Sequence, residues 1–202
     1  MKNVIVYLNG ERGLVAVRNL LKKKKYKLFV FSDKQIEFYK NNKYLSFFKV
    51  NNVNSLAHYK LVKKIKPMVS VVAGFSQILE KKIIDLPIFC TLNLHAGPLP
   101  KYRGGSPLNW QIINGEKRIG ISILKMDENI DTGDILKSKY FKLEINDDIK
   151  IVHNKANNLF ANMLTTLLED ITLNRAYAKK QSEKSSQYWH QRNDKDGKID
   201  WS

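Results

Sequence analysis

Asn3-Val4-Ile5-Val6-Tyr7-Leu8-Asn9-Gly10 opens the chain with a β-branched apolar run closed by a glycine turn. Val15, Val17, Leu20 and Leu21 follow at helical spacing. Strand, tight turn and helix in that order set the pattern for the rest. Lys27 to Ser32 reads as a second strand, Asn54 to Ile65 as a helix, and Met68 to Ala73 as a third strand that is apolar on both faces. Strands alternating with helices imply an α/β fold, a Rossmann-like, mostly parallel sheet with helices on both faces. The apolar run Pro87 to Leu94 supplies a fourth strand. Ser106-Pro107 then resembles an N-cap with proline at the first helical position, and a helix through Leu108, Ile112 and Ile113 should stop near Asn114-Gly115. Ile119 to Met126 and Ile135 to Phe141 read as two more strands, joined by the polar loop Asp127 to Asp134. From Asp147 to Leu173, positions such as Val152, Phe160, Leu164 and Ile171 keep helical spacing and predict one long amphipathic packing helix. On this reading residues 1–175 form a core and 176–202 a polar tail packing on it.

A chain of 202 residues carries one substantial core, and its 43% hydrophobic and 27% charged residues are ordinary for a globular protein. The charge balance is less ordinary: 35 basic against 19 acidic residues give +16. Such a surplus suits nucleic acid, an anionic membrane surface or a phosphorylated small molecule. It is carried by 29 Lys and 6 Arg in a chain also rich in Asn and Ile, which reads as compositional bias. Cys90 is the single cysteine, so no internal disulfide forms, and its place in an apolar run suggests a small buried hydrophobe in a reducing compartment. The amino terminus shows no signal-peptide pattern and no apolar stretch approaches the roughly 20 residues that span a bilayer. A soluble cytoplasmic protein without a membrane partner is the expectation.

The chemistry concentrates where the fourth strand ends. Asn93 and His95 stand two apart on that strand, so both side chains point to one face, and Asp131 lies on the loop beside the sheet. Imidazole and carboxamide on one face can hold a carbonyl centre between a proton acceptor and an oxyanion donor. A neighbouring carboxylate would pair with His95 and raise its pKa. No Ser or Cys nucleophile has its own base nearby, so direct transfer is more natural than a covalent intermediate. No metal is expected, because Asn93-x-His95 lacks a second ligand at metal spacing and His58, His153 and His190 are scattered. Taken by itself, one His near an Asn and an Asp is more often structural than catalytic.

The surrounding residues bear on that choice. Asn93, His95, Leu99-Pro100, Tyr102-Arg103-Gly104, Pro107, Asn114-Gly115, Gly120, Met126 and Asp131-Thr132-Gly133 recur in order over more than forty residues. This series resembles the pattern of the 10-formyltetrahydrofolate-dependent formyltransferases. The resemblance implies that fold, a folate co-substrate, and a division of roles in which Asn93 and His95 stabilise and deprotonate a tetrahedral adduct while Asp131 tunes His95. It further implies that the main chain of Gln77, Ile78 and Leu79 and the loop Asp127, Glu128, Asn129, Ile130 and Asp131 hold the pterin and formyl end of 10-formyltetrahydrofolate.

Within that family, Pro107-Leu108-Asn109-Trp110 followed by Asn114-Gly115-Glu116 is most similar to enzymes that formylate nucleotide-linked amino sugars. The tail segments Tyr188-Trp189 and Asp196 to Trp201 resemble theirs and those of methionyl-tRNA formyltransferase. The expected acceptor is therefore a nucleotide-linked amino-deoxy sugar, with Gly10, Tyr102, Arg103, Tyr188 and Trp189 as candidate contacts. Core packing is as available to Tyr188 and Trp189 as stacking on a base or sugar. Methionyl-tRNA formyltransferase shares the core but carries a further C-terminal domain, which sets a nucleic-acid partner second. Glycinamide ribonucleotide formyltransferase is third, because its glycine-rich loop is not matched by Leu8 to Gly13. A silent folate or nucleotide-sugar binding module is the alternative outside catalysis, and a homodimer is among the expectations.

Overall fold

The computed structural model describes residues 1–36 and 42–198, so the segment Asp196 to Trp201 falls partly outside the described residues. The opening run forms β1 (Lys2–Leu8), followed by α1 (Glu11–Lys23) and β2 (Tyr26–Ser32). Next come β3 (Leu45–Lys49), α2 (Leu56–Ile65), β4 (Val69–Ala73), the single turn α3 (Lys81–Ile84) and β5 (Cys90–His95). The chain continues through β6 (Arg103–Gly104), α4 (Pro107–Ile113), β7 (Arg118–Lys125), β8 (Ile135–Lys142), α5 (Ile149–Thr172) and β9 (Tyr188–Trp189).

Seven strands form one sheet in the order β3-β2-β1-β4-β5-β7-β8. β1 to β5 run parallel, and β7 and β8 are antiparallel. The pleat splits the core between two faces. Val4, Val6 and Leu8 of β1 face one side and pack with Ala16, Val17 and Leu20 of α1, Leu108 of α4 and Phe160, Leu164 and Leu168 of α5. Ile5 and Tyr7 face the other, with Val62 and Ile65 of α2 and Ile83 and Ile84 of α3. Helices on both faces account for strands that are apolar throughout.

β3 is absent from the sequence pattern. It is five residues long, sits on the edge beside β2 and is only half-buried, so it lacks the long apolar run of a central strand. Helix starts differ in kind. Ser55 caps α2 by accepting from the His58 amide at 3.2 Å, and Asp148 caps α5 by accepting from Ile151 at 2.7 Å. Ser106 stands at the N-cap of α4 ahead of Pro107, but its hydroxyl makes no capping bond. It accepts instead from Gln191 Nε2 at 2.7 Å and the Arg192 amide at 3.1 Å. The expected cap is thus an anchor for the C-terminal segment. That segment also bridges Lys179 to Ile135 and pairs β9 with β6. Cys90 is half-buried, with its thiol pushed up to about 11 by burial. Among the described residues no helix is long and apolar enough to cross a membrane.

Candidate active site

β1 and β4 are neighbours, while the chain runs outward from β1 to β2 and β3 before returning. That reversal is the switch point at which doubly wound sheets open a crevice at the carboxyl ends of their strands. A cavity of about 530 Å³ lies there, lined by the ends of β4 and β5, the loop after β7, and Arg12, Gly104, Asn109 and His153.

Asn93 and His95 leave β5 on the same face and converge on Asp131. Asn93 Nδ2 donates to Asp131 Oδ1 at 3.0 Å, and His95 Nδ1 lies 3.3 Å from Asp131 Oδ2. The Gly104 amide donates to the same Oδ2 at 2.9 Å. The other imidazole nitrogen, Nε2, is 2.5 Å from the Tyr102 carbonyl oxygen. A carbonyl oxygen only accepts, so this contact is a hydrogen bond when Nε2 carries the ring hydrogen, and Nδ1 then holds the lone pair. His95 is 5% exposed. Its pKa is lowered, first by burial and further by Arg12, against the opposing pull of Asp131 and the Tyr102 carbonyl. Burial outweighs the rise expected from Asp131, so the net shift is downward and favours the neutral imidazole.

Asp131 stands in the left-handed region at φ 56°. Its turn is closed by Gly133, whose hydrogen faces the Lys125 carbonyl oxygen; a Cβ there would come within 1.8 Å of that oxygen. This is why the motif ends in glycine. Asp127 folds the loop by accepting from the Asn129 amide at 3.1 Å and the Thr132 hydroxyl at 2.7 Å.

The expected folate-side residues all line this cavity: Gln77, Ile78, Leu79, Asp127, Glu128, Asn129, Ile130 and Asp131. Ile78 (75% exposed) and Ile130 (58% exposed) bring two apolar side chains to its lining, suited to an aromatic ring. The Gln77 side chain accepts from the Val53 amide at 2.9 Å, and Asn54 donates to the Ile78 carbonyl at 2.9 Å, which ties this wall to the turn before α2.

Of the expected acceptor contacts, Gly10 lines a second cavity that shares Arg12, Gly74, Asn109 and His153 with the first. The other four line neither of these two cavities. Arg103 is wholly buried and donates to both oxygens of Glu183, at 2.7 and 3.0 Å, and to Tyr188 Oη at 3.2 Å. Tyr102 stacks on Trp189 at 5.7 Å between ring centres, and Trp189 meets Trp110 at 5.0 Å. Their aromatic faces are covered by each other. Tyr188 packs beneath the Arg103 guanidinium.

Arg12, His153 and Asn157 join the site only in the fold. Arg12 donates to the Leu94 carbonyl at 3.0 Å, burial lowers it to about 10, and its Nε is buried without a partner among the described residues. Asn157 lines the second cavity at 4% exposure with Oδ1 likewise unpartnered. Arg12 is legible in principle, two residues past Gly10 at the carboxyl end of β1. His153 and Asn157 sit on the packing helix, and only the fold turns them toward a cavity. No cluster of metal-ligating side chains occurs among the described residues.

A buried imidazole, a carboxamide and a carboxylate surround one opening at the switch point of a doubly wound sheet, an arrangement suited to transfer of a group at a carbonyl centre. The chain belongs to the formyl transferase family, whose model matches residues 2–168. It is 39% identical over 140 residues to a methionyl-tRNA formyltransferase of Caldanaerobacter subterraneus, a match covering 69% of this chain and 45% of that protein. A methionyl-tRNA formyltransferase from Clostridium thermocellum shares the fold with TM-score 0.72 and 22% identity, over 100% of this chain and 77% of that one. A sugar N-formyltransferase from a Shewanella species does so with TM-score 0.71 and 21% identity, over 94% and 77%. The chain spans about half the length of the curated relatives it matches.

Proposed function

We propose that this chain transfers a formyl group from 10-formyltetrahydrofolate to the amino group of a nucleotide-linked amino-deoxy sugar. The donor occupies the first cavity, its ring between Ile78 and Ile130 and its formyl carbon at Asn93 and His95. The acceptor amine attacks that carbon, and the carbonyl oxygen takes up the electron pair. Asn93 has one amide hydrogen on Asp131 and a second left for that oxyanion. The proton shed by the amine passes to His95, whose Nδ1 is the basic nitrogen. Once charged, the imidazolium has Asp131 beside Nδ1 and the Tyr102 carbonyl on Nε2, so burial that opposes the charge at rest is offset during transfer. Collapse expels tetrahydrofolate, with N10 taking a proton, and leaves a formamide on the acceptor.

The observation that carries the acceptor reading is the second cavity. It meets the first at Arg12, Asn109 and His153, and Asn109, Asn154 and Asn157 offer neutral amides for sugar hydroxyls beside Arg12 and Lys150 for a phosphate. A second reading, an aminoacyl-tRNA acceptor, is favoured by the 39% identical relative and the +16 charge. The test is release of tetrahydrofolate from 10-formyltetrahydrofolate in the presence of dTDP-, UDP- and GDP-linked amino sugars or charged initiator tRNA. Release with an amino sugar supports the proposal, release with tRNA alone replaces the acceptor, and release with no amine removes the transferase reading.

A further inference from the structure

The segment after α5 reaches the site through one side chain. Gln181 Nε2 donates to the Asp131 carbonyl at 2.8 Å and to the Gly133 carbonyl at 2.7 Å, so its two amide hydrogens span the Asp131-Thr132-Gly133 turn. Gln181 Oε1 accepts from Arg103 Nε at 3.1 Å. The amide orientation is fixed by chemistry: carbonyls only accept and a guanidinium only donates. Arg103 is in turn clamped by Glu183 and Tyr188, both in the same segment.

The same segment acts on the other side of Asp131. β9 pairs with β6 in the register Arg103 with Tyr188 and Gly104 with Trp189. Gly104 has φ 91°, and a Cβ there would stand 2.3 Å from the Trp189 carbonyl oxygen. This close pairing aims the Gly104 amide at Asp131 Oδ2. Asp131 therefore has its backbone held by Gln181 and its carboxylate held by a strand residue that the same segment fixes. A left-handed φ at a residue with a side chain persists only where the surroundings impose it.

We infer that Gln181 is a positioning residue of the active site: it holds Asp131 in the backbone conformation that places its carboxylate between Asn93 and His95. The segment carrying it is then part of the catalytic apparatus and more than a covering of the core. The inference rests on the proposed reaction only for its kinetic arm; the spectroscopic arm needs no acceptor.

Gln181→Met keeps side-chain length and removes all three hydrogen bonds. Gln181→Glu keeps an acceptor for Arg103 and sets a carboxylate against two carbonyls. Glu183→Gln weakens the Arg103 clamp and leaves the Gln181 amide intact. Each is measured in the full chain for thermal midpoint, for tetrahydrofolate release, and for the titration of the His95 ring by NMR, where Asp131, Arg12 and the Tyr102 carbonyl are the groups that face the imidazole. Both Gln181 variants should lose roughly tenfold in kcat, as two hydrogen bonds at the turn are released. KM for 10-formyltetrahydrofolate should stay unchanged. The His95 midpoint should move further down as Asp131 drifts from Nδ1. Glu183→Gln should lower the thermal midpoint and leave the His95 titration in place. If the Gln181 variants lose thermal stability but keep the wild-type His95 titration and kcat, Gln181 only anchors the segment and the inference is overturned. Should Gln181→Met not fold, the same two readings on Gln181→Glu decide it. If no acceptor supports turnover, the NMR titration still decides the role of Gln181.

Discussion

Asp131→Asn removes a charge from the centre of the site while keeping the size of the side chain. Asp131 accepts from Asn93 through Oδ1 and from Gly104 through Oδ2, and Oδ2 also lies 3.3 Å from His95 Nδ1. An asparagine there must turn its NH2 toward one of these donors, and the orientation that spares Gly104 sets NH2 against NH2 at Asn93. Either way the imidazolium formed during transfer loses its anionic partner. Two charges 3.3 Å apart interact by about 5 kcal/mol at an effective dielectric constant of about 20. Measured hydrogen bonds to charged groups contribute less, about 1.5–3 kcal/mol. A loss of about 2–4 kcal/mol in the transition state is a fall of about 30- to 1000-fold in rate. The assay is single-turnover release of tetrahydrofolate with the preferred acceptor, alongside donor binding by fluorescence and a thermal melt. Donor binding should hold, since the Ile78 and Ile130 side chains are untouched. A variant that binds donor normally and turns over within threefold of wild type would refute the role given to Asp131.

Three other outcomes rest on particular contacts. Burial holds His58 down at about 4 and lowers His95 and His153 from the ordinary 6.5, with Arg12 adding to the last two. Between pH 6.5 and about 4 the unfolded chain therefore binds protons that the folded one refuses, so stability falls as pH drops across that window and is indifferent to these groups above it; a denaturation midpoint that stays level from pH 7 to 4.5 would contradict this. Gly133→Ala drives a Cβ into the Lys125 carbonyl and must part the backbone pair between Lys125 and Asp134. A cost of about 3 kcal/mol, or about 6–12 °C in thermal midpoint, is the expectation, and a melt unchanged within 2 °C of wild type would refute it. Asn157→Leu should raise KM for an amino-sugar acceptor about tenfold with donor KM unchanged, as expected for a lost hydrogen bond; equal effects on both KM values would detach Asn157 from the acceptor.

The sequence disclosed the elements that obey strong periodicity: the long α5, the central strands and the β-turn-α opening. It disclosed the convergence of Asn93, His95 and Asp131, because two residues of one strand share a face and the loop after β7 has one place to go. It did not disclose β3, whose half-buried edge position leaves no apolar run. Nor could it show that Arg103 and Tyr102 contact Glu183, Tyr188 and Trp189 of the C-terminal segment, since side chains that bind a ligand and side chains that clamp a tail are of the same types. The direction of the His95 shift needed the fold as well: the carboxylate was visible in the sequence, the depth of burial was not. Gln181 and Asn157 acquire meaning only from what lies opposite them in space.

The most direct test of the central claim tracks the formyl carbon itself. 10-Formyltetrahydrofolate carrying an isotope label in the formyl group is incubated with the protein and the amino-sugar panel, and products are read by mass spectrometry. The account predicts a labelled formamide on a nucleotide-linked sugar with wild type and none with His95→Ala. Label appearing as free formate alone, or transferred equally well by His95→Ala, would contradict it.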